Sequence, residues 1–382
     1  MTEAEYLEKM QEVRAEIDAV DRKLLPLLRE RMLCSEKVAA IKKEAQMPVF
    51  DPVREKQILD RICENGGEFG ESLSAIYAGI MSVSRARQHN ILSAGEEIRT
   101  MTENALRSFP KETVSVVCQG VEGAYSHKAT KSFFSQADIS FCALFEDAFK
   151  QIEENKASFA VLPVENSAAG SVSEVYDHIM KYRFHIVGAV VLPVKHCAAG
   201  VNGRQTAKKV VSHPQALRQC SEYIKANELE EIEFSNTAAA AKYVKEKADS
   251  AFRVICSEEA AEKYGLQIIH KNIQNERSNA TRFIVISKTP ILPENADKIS
   301  LCFSLPHEAG SLYSILEKFS VSGLNLTKIE SRPIPERQFE YDFYLDFTGN
   351  IHDEKTKNLI CALNDDLPHF SFLGNYAEIN AE

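Results

Sequence analysis

The longest regular hydrophobic pattern in the chain lies near its N-terminus. Steps of three and four alternate through Met10, Val13, Ile17, Val20, Leu24, Leu27, Arg31, Cys34, Val38, Ile41 and Ala45. This spacing predicts a long helix with a coiled-coil seam. At 1.5 Å per residue the helix would be roughly 60 Å long. Because that exceeds the width of a small domain, we expect an intertwined dimer. Pro26 lies inside the pattern and can kink the helix.

Two further helices are predicted after the long one. Asp51-Pro52 provides an N-cap and a first-turn proline. Asn65-Gly66-Gly67 is typical of a helix end. A third helix is predicted from about Glu71 to Ser93. Because no convincing strand pattern occurs in this part, we predict an all-α domain over residues 1–95.

The rest of the chain alternates strand and helix patterns. Short β-branched runs separate helical stretches over residues 113–288, which predicts an α/β domain. A smaller region, residues 297–379, has the order βαββαβ of a ferredoxin-like α+β sandwich. The polar or proline-bearing stretches Ser93–Glu112 and Thr289–Asp297 are predicted to be linkers. The pattern therefore predicts three domains.

Composition narrows the class of function. The formal net charge of −10 argues against a nucleic-acid-binding protein. No apolar run approaches the roughly 18 residues of a membrane span, and the acidic N-terminus is unlike a signal peptide, so we expect a cytoplasmic protein. The nine cysteines include no C-x-x-C pair, which favours reduced thiols over a disulfide framework or a zinc site.

Several cations and amides of the helical region fall on shared faces. Arg31 occupies the seam, where a buried charge needs an anionic partner. Lys42 lies eleven residues later, within about 20° of the same azimuth, whereas Arg14 lies on another face and could serve a neighbouring subunit. Ser84 and Gln88 share a face of the third helix. The set predicts a pocket for a small dicarboxylate, although a lone polar seam residue can simply fix register.

Residues 6–92 resemble the all-α chorismate mutases that are fused to prephenate dehydratases. The matching stretches are Arg14-x-x-Ile17-Asp18-x-x-Asp21, Leu27-x-x-x-Arg31, Val38-x-x-x-Lys42, Pro48-Val49-x-Asp51-x-x-Arg54-Glu55 and Ser84-x-x-x-Gln88. The resemblance implies that Arg31, with Arg14 of the partner subunit, holds the side-chain carboxylate of chorismate. It implies that Lys42 and Gln88 reach the ether oxygen and that Ser84 meets the ring carboxylate. Around the ring hydroxyl it implies Asp51, Arg54 and Glu55.

Polar segments lie at the ends of the predicted strands of the middle region. They are Gly120–His127, Pro163–Gly170, Ser212–Gln215 and Asn279–Phe283. Polar residues between a strand end and a helix lie where α/β sheets bind ligands, so we expect two lobes around a cleft. Individually, each segment could instead cap a helix or lie on the surface. The chain contains no G-x-G-x-x-G motif, which counts against a nicotinamide-dependent dehydrogenase.

In this order, G-x-x-G-x-Y-S, L-P-V-E-N-S, S-H-P-Q and N-x-T-R-F resemble prephenate dehydratase across residues 113–288. The resemblance implies a two-lobed fold like periplasmic binding proteins and the decarboxylative dehydration of prephenate. It points to Thr281 beside the leaving hydroxyl, with Asn166 and Gln215 placing the substrate. A threonine hydroxyl can relay a proton from a group such as Glu165 or His213. The other implied binding residues are Ser126, Ser212, Asn236, Thr237, Phe283 and, as a carboxylate clamp, Arg282.

The last region carries two further motifs. Glu330-Ser331-Arg332-Pro333 and Gly310-Ser311-Leu312-Tyr313 resemble the ACT domain of phenylalanine-regulated dehydratases, although Ser311 and Tyr313 replace the usual alanine and valine. The resemblance implies a binding site for L-phenylalanine that also includes Asn325 and Leu326. A purely structural dimerisation domain is the alternative.

The sequence therefore predicts a bifunctional enzyme that rearranges chorismate to prephenate and converts prephenate to phenylpyruvate, inhibited by L-phenylalanine. Neither reaction needs a metal or an organic cofactor, and a homodimer or homotetramer is expected. The alternatives are a mutase fused to a dehydrogenase, an arogenate dehydratase, and a pure binding module. The missing dinucleotide motif disfavours the dehydrogenase fusion. The attached mutase, which makes prephenate, disfavours the arogenate dehydratase, and the cationic seam disfavours the binding module.

Overall fold

The structure is a computed structural model of the 382-residue chain. It describes residues 2–45, 47–92, 95–202, 207–276, 278–308, 310–334, 337, 340–367 and 369–381, without the side chain of Asn90. The chain forms two compact units. The first contains residues 1–101, 302–345 and 352–371, and the second contains residues 102–301, 346–351 and 372–382.

The first unit begins with the predicted long helix, α1 (Glu3–Ala45), which continues through Pro26. Its 43 residues correspond to roughly 65 Å of helix. Only Ser35 and Ala39 of this helix are buried. The seam is largely exposed within the single chain, since Val20 and Leu27 each keep 62% of their accessible surface.

Two more helices follow as predicted. Helix α2 (Pro52–Asn65) is capped by Asp51, whose side chain accepts the backbone N–H of Arg54 at 3.0 Å. After a short 3₁₀ turn comes α3 (Gly70–Leu92). Ser93, where the third helix was predicted to end, lies outside the described residues.

The stretch Ser93–Glu112, which was predicted to be a linker, contains a helix that the sequence analysis did not predict. Helix α4 (Glu96–Asn104) lies within it. Ile98 and Thr102 are buried, four residues apart on one face of this helix. Two buried residues are too weak a periodic signal to distinguish a short helix from a polar linker.

The middle of the chain contains two sheets, as the expectation of two lobes requires. A seven-stranded sheet has the order β16-β5-β11-β3-β1-β2, with β4 beside β3. Its strands are β1 (Val114–Gln119), β2 (Ala137–Cys142), β3 (Phe159–Asn166), β4 (Gly170–Ser171), β5 (His185–Pro193), β11 (Ala280–Ser287) and β16 (Glu378–Asn380). Its helices are α5 (Tyr125–Phe133), α6 (Phe145–Glu153) and α7 (Ser173–Tyr182).

The second sheet has five strands in the order β10-β6-β9-β7-β8. They are β6 (Cys197–Gly200), β7 (Lys209–Ser212), β8 (Glu230–Glu233), β9 (Phe252–Cys256) and β10 (Gln267–His270). The accompanying helices are α8 (Pro214–Gln219), α9 (Ser221–Ala226), α10 (Thr237–Lys247) and α11 (Glu258–Lys263). Alanines of α10 and α11 pack on this sheet in a core of their own, which allows the helices to approach the strands closely.

The predicted order βαββαβ is confirmed near the C-terminus. Its elements are β12 (Lys298–Ser304), α12 (Ser311–Val321), β13 (Leu326–Pro333), β14 (Tyr341–Thr348), α13 (Glu354–Asp366) and β15 (Ser371–Tyr376). The strands form a sheet in the order β13-β14-β12-β15. An additional short strand, β16, was not predicted and pairs in parallel with β5 of the seven-stranded sheet. No helix among the described residues is both long and apolar enough to cross a membrane.

Candidate functional site

A cavity of about 340 Å³ lies between the two sheets of the middle region. Segments from the ends of β3, β5, β7 and β11 contribute to its wall, as the rule for ligand sites in α/β sheets leads one to expect. The predicted residues that line it are Ser126, Asn166, His213, Gln215, Asn236, Thr237, Thr281 and Phe283. The cavity therefore brings together residues that are more than 150 positions apart in the sequence.

The lining of this cavity mixes apolar and polar side chains and includes no charged side chain among the described residues. Helix α5 begins at Tyr125 and Ser126, both of which line the cavity. Helix α10 begins beside Asn236, whose side chain accepts the backbone N–H of Ala239 at 2.7 Å. Helix N-termini carry a partial positive charge and free N–H groups. Since no lysine or arginine is among the described lining residues, these helix ends and the amide side chains supply the attraction for an anion.

Asn166 and Thr281 form the centre of the site. The amide nitrogen of Asn166 lies 2.9 Å from the hydroxyl oxygen of Thr281 and 2.9 Å from the side-chain oxygen of Asn279. The amide oxygen of Asn166 accepts the backbone N–H groups of Ala168 and Ala169, at 3.1 and 3.0 Å. Because the Thr281 oxygen accepts a hydrogen bond from Asn166, its own proton remains free to be donated into the cavity.

Gln215 connects the two walls of the cavity. Its side-chain nitrogen donates to the amide oxygen of Asn166 at 3.3 Å. His213 caps helix α8, and its Nδ1 accepts the backbone N–H of Gln215 at 3.2 Å. This bond assigns the ring proton to Nε2 of the neutral imidazole. Burial, together with the nearby charge of Arg218, lowers the pKa of His213, so the ring is neutral at physiological pH.

Several lining residues of the cavity were missed by sequence reasoning, among them the polar residues His196 and Gln219. His196 and Gln219 line it, and the Nε2 atom of His196 lies 3.1 Å from the side-chain oxygen of Gln219. Burial lowers the pKa of His196. His196 lies between β5 and β6, so its position just after a strand was the signal that could have identified it. Gln219 lies inside the α8 segment, and nothing in its sequence context distinguishes it from a surface residue.

Three residues that were predicted to bind substrate do not line the cavity. Ser212 is fully buried and donates to the backbone oxygen of Ile255 at 2.6 Å. Arg282 forms ion pairs with Asp346 and Glu378, so its guanidinium is not available as a substrate clamp. Glu165 has its carboxylate 4.0 Å from Arg282. Neighbouring residues of a strand point to opposite faces, and therefore Thr281 and Arg282 cannot both face the cleft.

The helical region holds a different set of polar residues. Arg31 of α1 donates to the hydroxyl of Ser84 on α3 at 2.8 Å. Gln88 lies one turn further along α3, and its buried side-chain oxygen has no hydrogen-bond partner among the described residues. Lys42 donates to the backbone oxygen of Val49 at 2.5 Å. This backbone contact ties the end of α1 to the segment that precedes α2.

The residues expected around the chorismate ring hydroxyl are distributed differently. Glu55 forms an ion pair with Arg85, which also lies over the ring of Phe50 at 5.4 Å. Arg85 was not predicted. Asp51 caps α2, and the side chains of Arg54 and Arg14 are exposed. That Arg14 acts in a neighbouring subunit stays a prediction.

The predicted regulatory residues fall in two places. Ser311 and Leu312 line a cavity of about 360 Å³ with Leu305, Tyr341 and Phe343. Gly310 precedes α12 with φ of 88°, a backbone conformation that favours glycine. The remaining residues lie just before and along β13, an outer strand of its sheet: Asn325, Leu326, Glu330, Ser331, Arg332 and Pro333. The cavity lining does not include them.

Two family models match the chain. The model for chorismate mutase type II matches residues 13–89, and the model for prephenate dehydratase matches residues 116–291. A bifunctional chorismate mutase/prephenate dehydratase of Aquifex aeolicus (strain VF5) is 32% identical over 374 residues, which cover 97% of this chain and 98% of the relative. The chain belongs to this bifunctional family. It is an enzyme of phenylalanine biosynthesis that converts chorismate to prephenate and prephenate to phenylpyruvate.

Other relatives share the dehydratase part of this bifunctional enzyme. An arogenate dehydratase/prephenate dehydratase of Arabidopsis thaliana is 36% identical over 276 residues, covering 69% of this chain and 72% of the relative. The solved prephenate dehydratase of Arthrobacter aurescens, in complex with L-Phe, is similar with a TM-score of 0.64 and 28% identity. The match covers 69% of this chain and 90% of that one. The predicted combination of a mutase with a dehydratase is thus confirmed, and a mutase–dehydrogenase fusion is excluded.

Proposed function

We propose that the chain carries its two reactions in two separate sites, over residues 1–95 and 113–288, and that residues 297–379 form a ferredoxin-like ACT domain that responds to L-phenylalanine. The cavity organised by Asn166 and Thr281 carries the dehydratase assignment. The contact between Arg31 and Ser84 supports the mutase assignment. The cytoplasmic location expected from the sequence stays a prediction.

The mutase site would act by conformational selection and electrostatics. The rearrangement of chorismate is unimolecular, so an enzyme accelerates it by holding the reactive chair-like conformer and by stabilising negative charge on the ether oxygen as the C–O bond breaks. Arg31 is held by Ser84 and would bind a carboxylate. Lys42 and Gln88 would donate to the ether oxygen. Substrate would then compete with the Val49 backbone oxygen for the ammonium group of Lys42.

The dehydratase cavity would act by donating a proton to the departing ring hydroxyl. As the bond between the ring and its carboxylate breaks, the electron pair enters the ring and carbon dioxide leaves. The ring hydroxyl departs with a proton as water, and the ring becomes aromatic. Thr281 has its proton free for this donation, because its oxygen already accepts from Asn166. The neutral His213 lines the same cavity and carries a proton on Nε2, which favours His213 over Glu165 as the group that restores the Thr281 proton.

Prephenate is favoured over arogenate as the substrate of this cavity. Arogenate carries an ammonium group where prephenate carries a keto group, and a buried ammonium needs an anionic partner. No aspartate or glutamate is among the described residues that line the cavity. Arogenate remains the second candidate because a relative at 36% identity is named for both activities. Comparing kcat/KM for the two substrates tests this preference, and a higher value for arogenate would overturn it.

A dimer through α1 is also proposed. The seam residues Val13, Ile17, Val20, Leu24, Leu27, Val38 and Ile41 are each at least 42% exposed in the single chain. A stripe of this length along one helix would be covered by a second copy of the same helix. Arg14 lies beside this stripe and would enter the site of the neighbouring subunit. Either a dimer or a tetramer would cover the exposed seam.

Regulation by L-phenylalanine is proposed for the C-terminal region. The similar dehydratase of Arthrobacter aurescens is described in complex with L-Phe. In this chain, the cavity beside Ser311 and Leu312 is lined by the apolar residues Leu305 and Phe343, which suits an aromatic side chain. A structural dimerisation domain without a ligand is the alternative.

The experiment that tests these proposals follows prephenate and phenylpyruvate separately after chorismate is added to the purified chain. We expect phenylpyruvate to form without any added cofactor and its rate to fall when L-phenylalanine is present. Unchanged phenylpyruvate formation at millimolar L-phenylalanine would reject the regulatory proposal and leave both catalytic assignments standing.

A further inference from the structure

Arg282 is a buried cation directly next to Thr281 on strand β11. Its side chain is only 10% exposed. Its Nη1 lies 2.6 Å from a carboxylate oxygen of Asp346, its Nε lies 2.6 Å from one of Glu378, and its Nη2 donates to the hydroxyl of Tyr376 at 2.7 Å. The two terminal nitrogens of the guanidinium are therefore hydrogen-bonded to Asp346 and Tyr376, and its Nε makes a charge contact with Glu378 that lacks hydrogen-bond geometry.

The partners of Arg282 are themselves fixed. Ser300 donates to the second carboxylate oxygen of Asp346 at 2.5 Å and lies 2.7 Å from the hydroxyl of Tyr376. Lys298 pairs with Glu378 at 2.6 Å. The cluster thus combines two cations with two carboxylates, and a third carboxylate, that of Glu165, lies 4.0 Å from Arg282. We call this set the Arg282 cluster: Arg282, Lys298, Ser300, Asp346, Tyr376 and Glu378.

The charge state of the cluster is well defined. Burial disfavours the charged guanidinium, but the neighbouring carboxylates of Asp346 and Glu378 outweigh this effect and raise the pKa of Arg282 above its usual value. Burial likewise raises the pKa of Tyr376, which therefore stays a neutral hydroxyl. Removing one charged member would leave an opposite charge buried without its partner, so the geometry of the whole cluster depends on Arg282.

The cluster lies on the opposite side of the sheet from the cleft. Along β11, Thr281 and Phe283 line the cavity, and Arg282 between them points to the other face. Strand β16, which carries Glu378, pairs with β5, and β5 pairs with β11. The pairing of β11 with β3 shifts register between Arg282 and Phe283. On its other side β11 pairs with β5 without a shift over Thr281, Arg282 and Phe283.

We propose that Arg282 is a positioning residue for the dehydration, through which Asp346 and Glu378 of the C-terminal strands fix the Thr281 hydroxyl in the cleft. The inference rests on the proposed role of Thr281. A displacement of about 1 Å at a reacting group can cost about a hundredfold in rate. The cluster therefore makes the last residues of the chain part of the dehydratase machinery, although none of them lines the cavity.

The first test compares Arg282→Met and Arg282→Lys with a matched control. Arg253 is also fully buried in the second unit and donates to Tyr223 and Asn227, each at 3.2 Å, but it lies on β9. We expect Arg282→Met to lower kcat for prephenate about a hundredfold while KM changes by less than about threefold, because no substrate contact is lost. Arg282→Lys keeps the positive charge but lacks the planar guanidinium that binds several partners at once, and it should recover part of kcat. Arg253→Gln should retain the parental kcat.

The thermal unfolding and circular dichroism spectrum of each purified variant report whether the second unit is folded, and its mutase rate gives the concentration of active chain. A second test uses Glu378→Gln, which keeps the shape of the side chain and removes one charge. We expect kcat to fall about tenfold, and the double variant Arg282→Met/Glu378→Gln to be no slower than Arg282→Met alone, since both changes break one network. If Arg282→Met does not fold, Glu378→Gln and Arg282→Lys decide the question by the same measure.

The outcomes separate this inference from the function on which it rests. A parental kcat in Arg282→Met would overturn the positioning role if Thr281→Ala is inactive. If Arg282→Met does not fold, a parental kcat in Glu378→Gln has the same meaning. Parental kcat in Thr281→Ala would instead overturn the proposed function of the cleft. Equal losses of kcat in Arg282→Met and Arg253→Gln would mean that any buried arginine of this unit has the same effect, and would also overturn the inference.

Discussion

The proposed helical site and the proposed cleft site would bind similar small anions by different chemical means. The helical site is built from charged side chains, with Arg31 and Lys42 on one long helix whose seam is exposed in the single chain. The cleft has no lysine or arginine among its described lining residues and relies on helix ends, amides and hydroxyls. Arg282 of β11, which is next to Thr281, instead points to the other face of the sheet.

This difference follows from what each reaction demands. The rearrangement of chorismate develops negative charge on one ether oxygen, which cations stabilise directly. The dehydration must release the ring carboxylate as neutral carbon dioxide, and a strong cation beside that carboxylate would stabilise the reactant more than the transition state. A neutral cavity with one well-placed proton donor is suited to the second reaction.

The largest effect is expected for Thr281→Ala. Loss of the proposed proton donor should lower kcat for prephenate dehydration about a thousandfold, while the mutase rate stays within about twofold. Thr281→Ser keeps the hydroxyl and should restore most of the rate. The measurement is phenylpyruvate formation from added prephenate. A parental rate in the alanine variant would assign the chemistry to another residue.

A somewhat smaller effect is expected for Lys42→Ala. Removing a cation from the breaking C–O bond should reduce the mutase rate about a hundredfold or more and leave dehydration of added prephenate unchanged. Lys43→Ala is the matched control, because Lys43 is the exposed neighbour on the same helix. Chorismate consumption is the readout. Similar rates in the two variants would remove Lys42 from the mutase site.

A charged residue placed in the seam should weaken the dimer, and should therefore affect the mutase site but not the cleft. Leu27→Glu would place a carboxylate in the proposed helix–helix interface, weaken the dimer and reduce the mutase rate about tenfold or more, since Arg14 of the partner subunit would be lost. Dehydration should continue, because the described cavity lies within one chain. Leu25→Glu, at an exposed position off the seam, is the control. Sedimentation velocity across a dilution series would measure assembly, and an unchanged dimer in Leu27→Glu would contradict the interface.

The smallest effect concerns pH. Because burial lowers the pKa of His213, its ring should remain neutral until the pH falls below the ordinary value of about 6.5. We expect kcat/KM for prephenate to stay level from pH 8 to about 6.5 and to fall at lower pH, because protonation of Nδ1 removes the bond that orients Gln215. His213→Gln should flatten this decline. The same acid limb in His213→Gln would point to another group, such as His196.

Much of this architecture could be predicted, because long periodic patterns and strand-end motifs are local signals. The three mutase helices, the cap at Asp51 and the order βαββαβ all came from such signals. Helix α4 and strand β16 did not, because they are short and are stabilised by their tertiary neighbours. Three residues, Glu378–Asn380, are too few for a period of two to be recognised.

The candidate site likewise combines residues that the sequence predicted with residues that only the tertiary fold brings there. Thr281 and Asn166 belong to motifs and meet in the cavity as expected. Arg282 belongs to the same motif as Thr281, yet adjacency in a strand means opposite faces, so its predicted role as a substrate clamp was wrong. His196 and Gln219 reach the cavity only because two segments fold together. A motif therefore identifies the site, while the strand geometry decides which of its residues enter the cavity.

The central claim is that two independent sites in one chain carry consecutive reactions. The most direct measurement supplies chorismate to Lys42→Ala, to Thr281→Ala and to an equimolar mixture of the two, and follows prephenate and phenylpyruvate at neutral pH. We predict little product from the first variant, accumulating prephenate from the second, and phenylpyruvate from the mixture. Phenylpyruvate from either variant alone at the parental rate, or none from the mixture, would contradict the account.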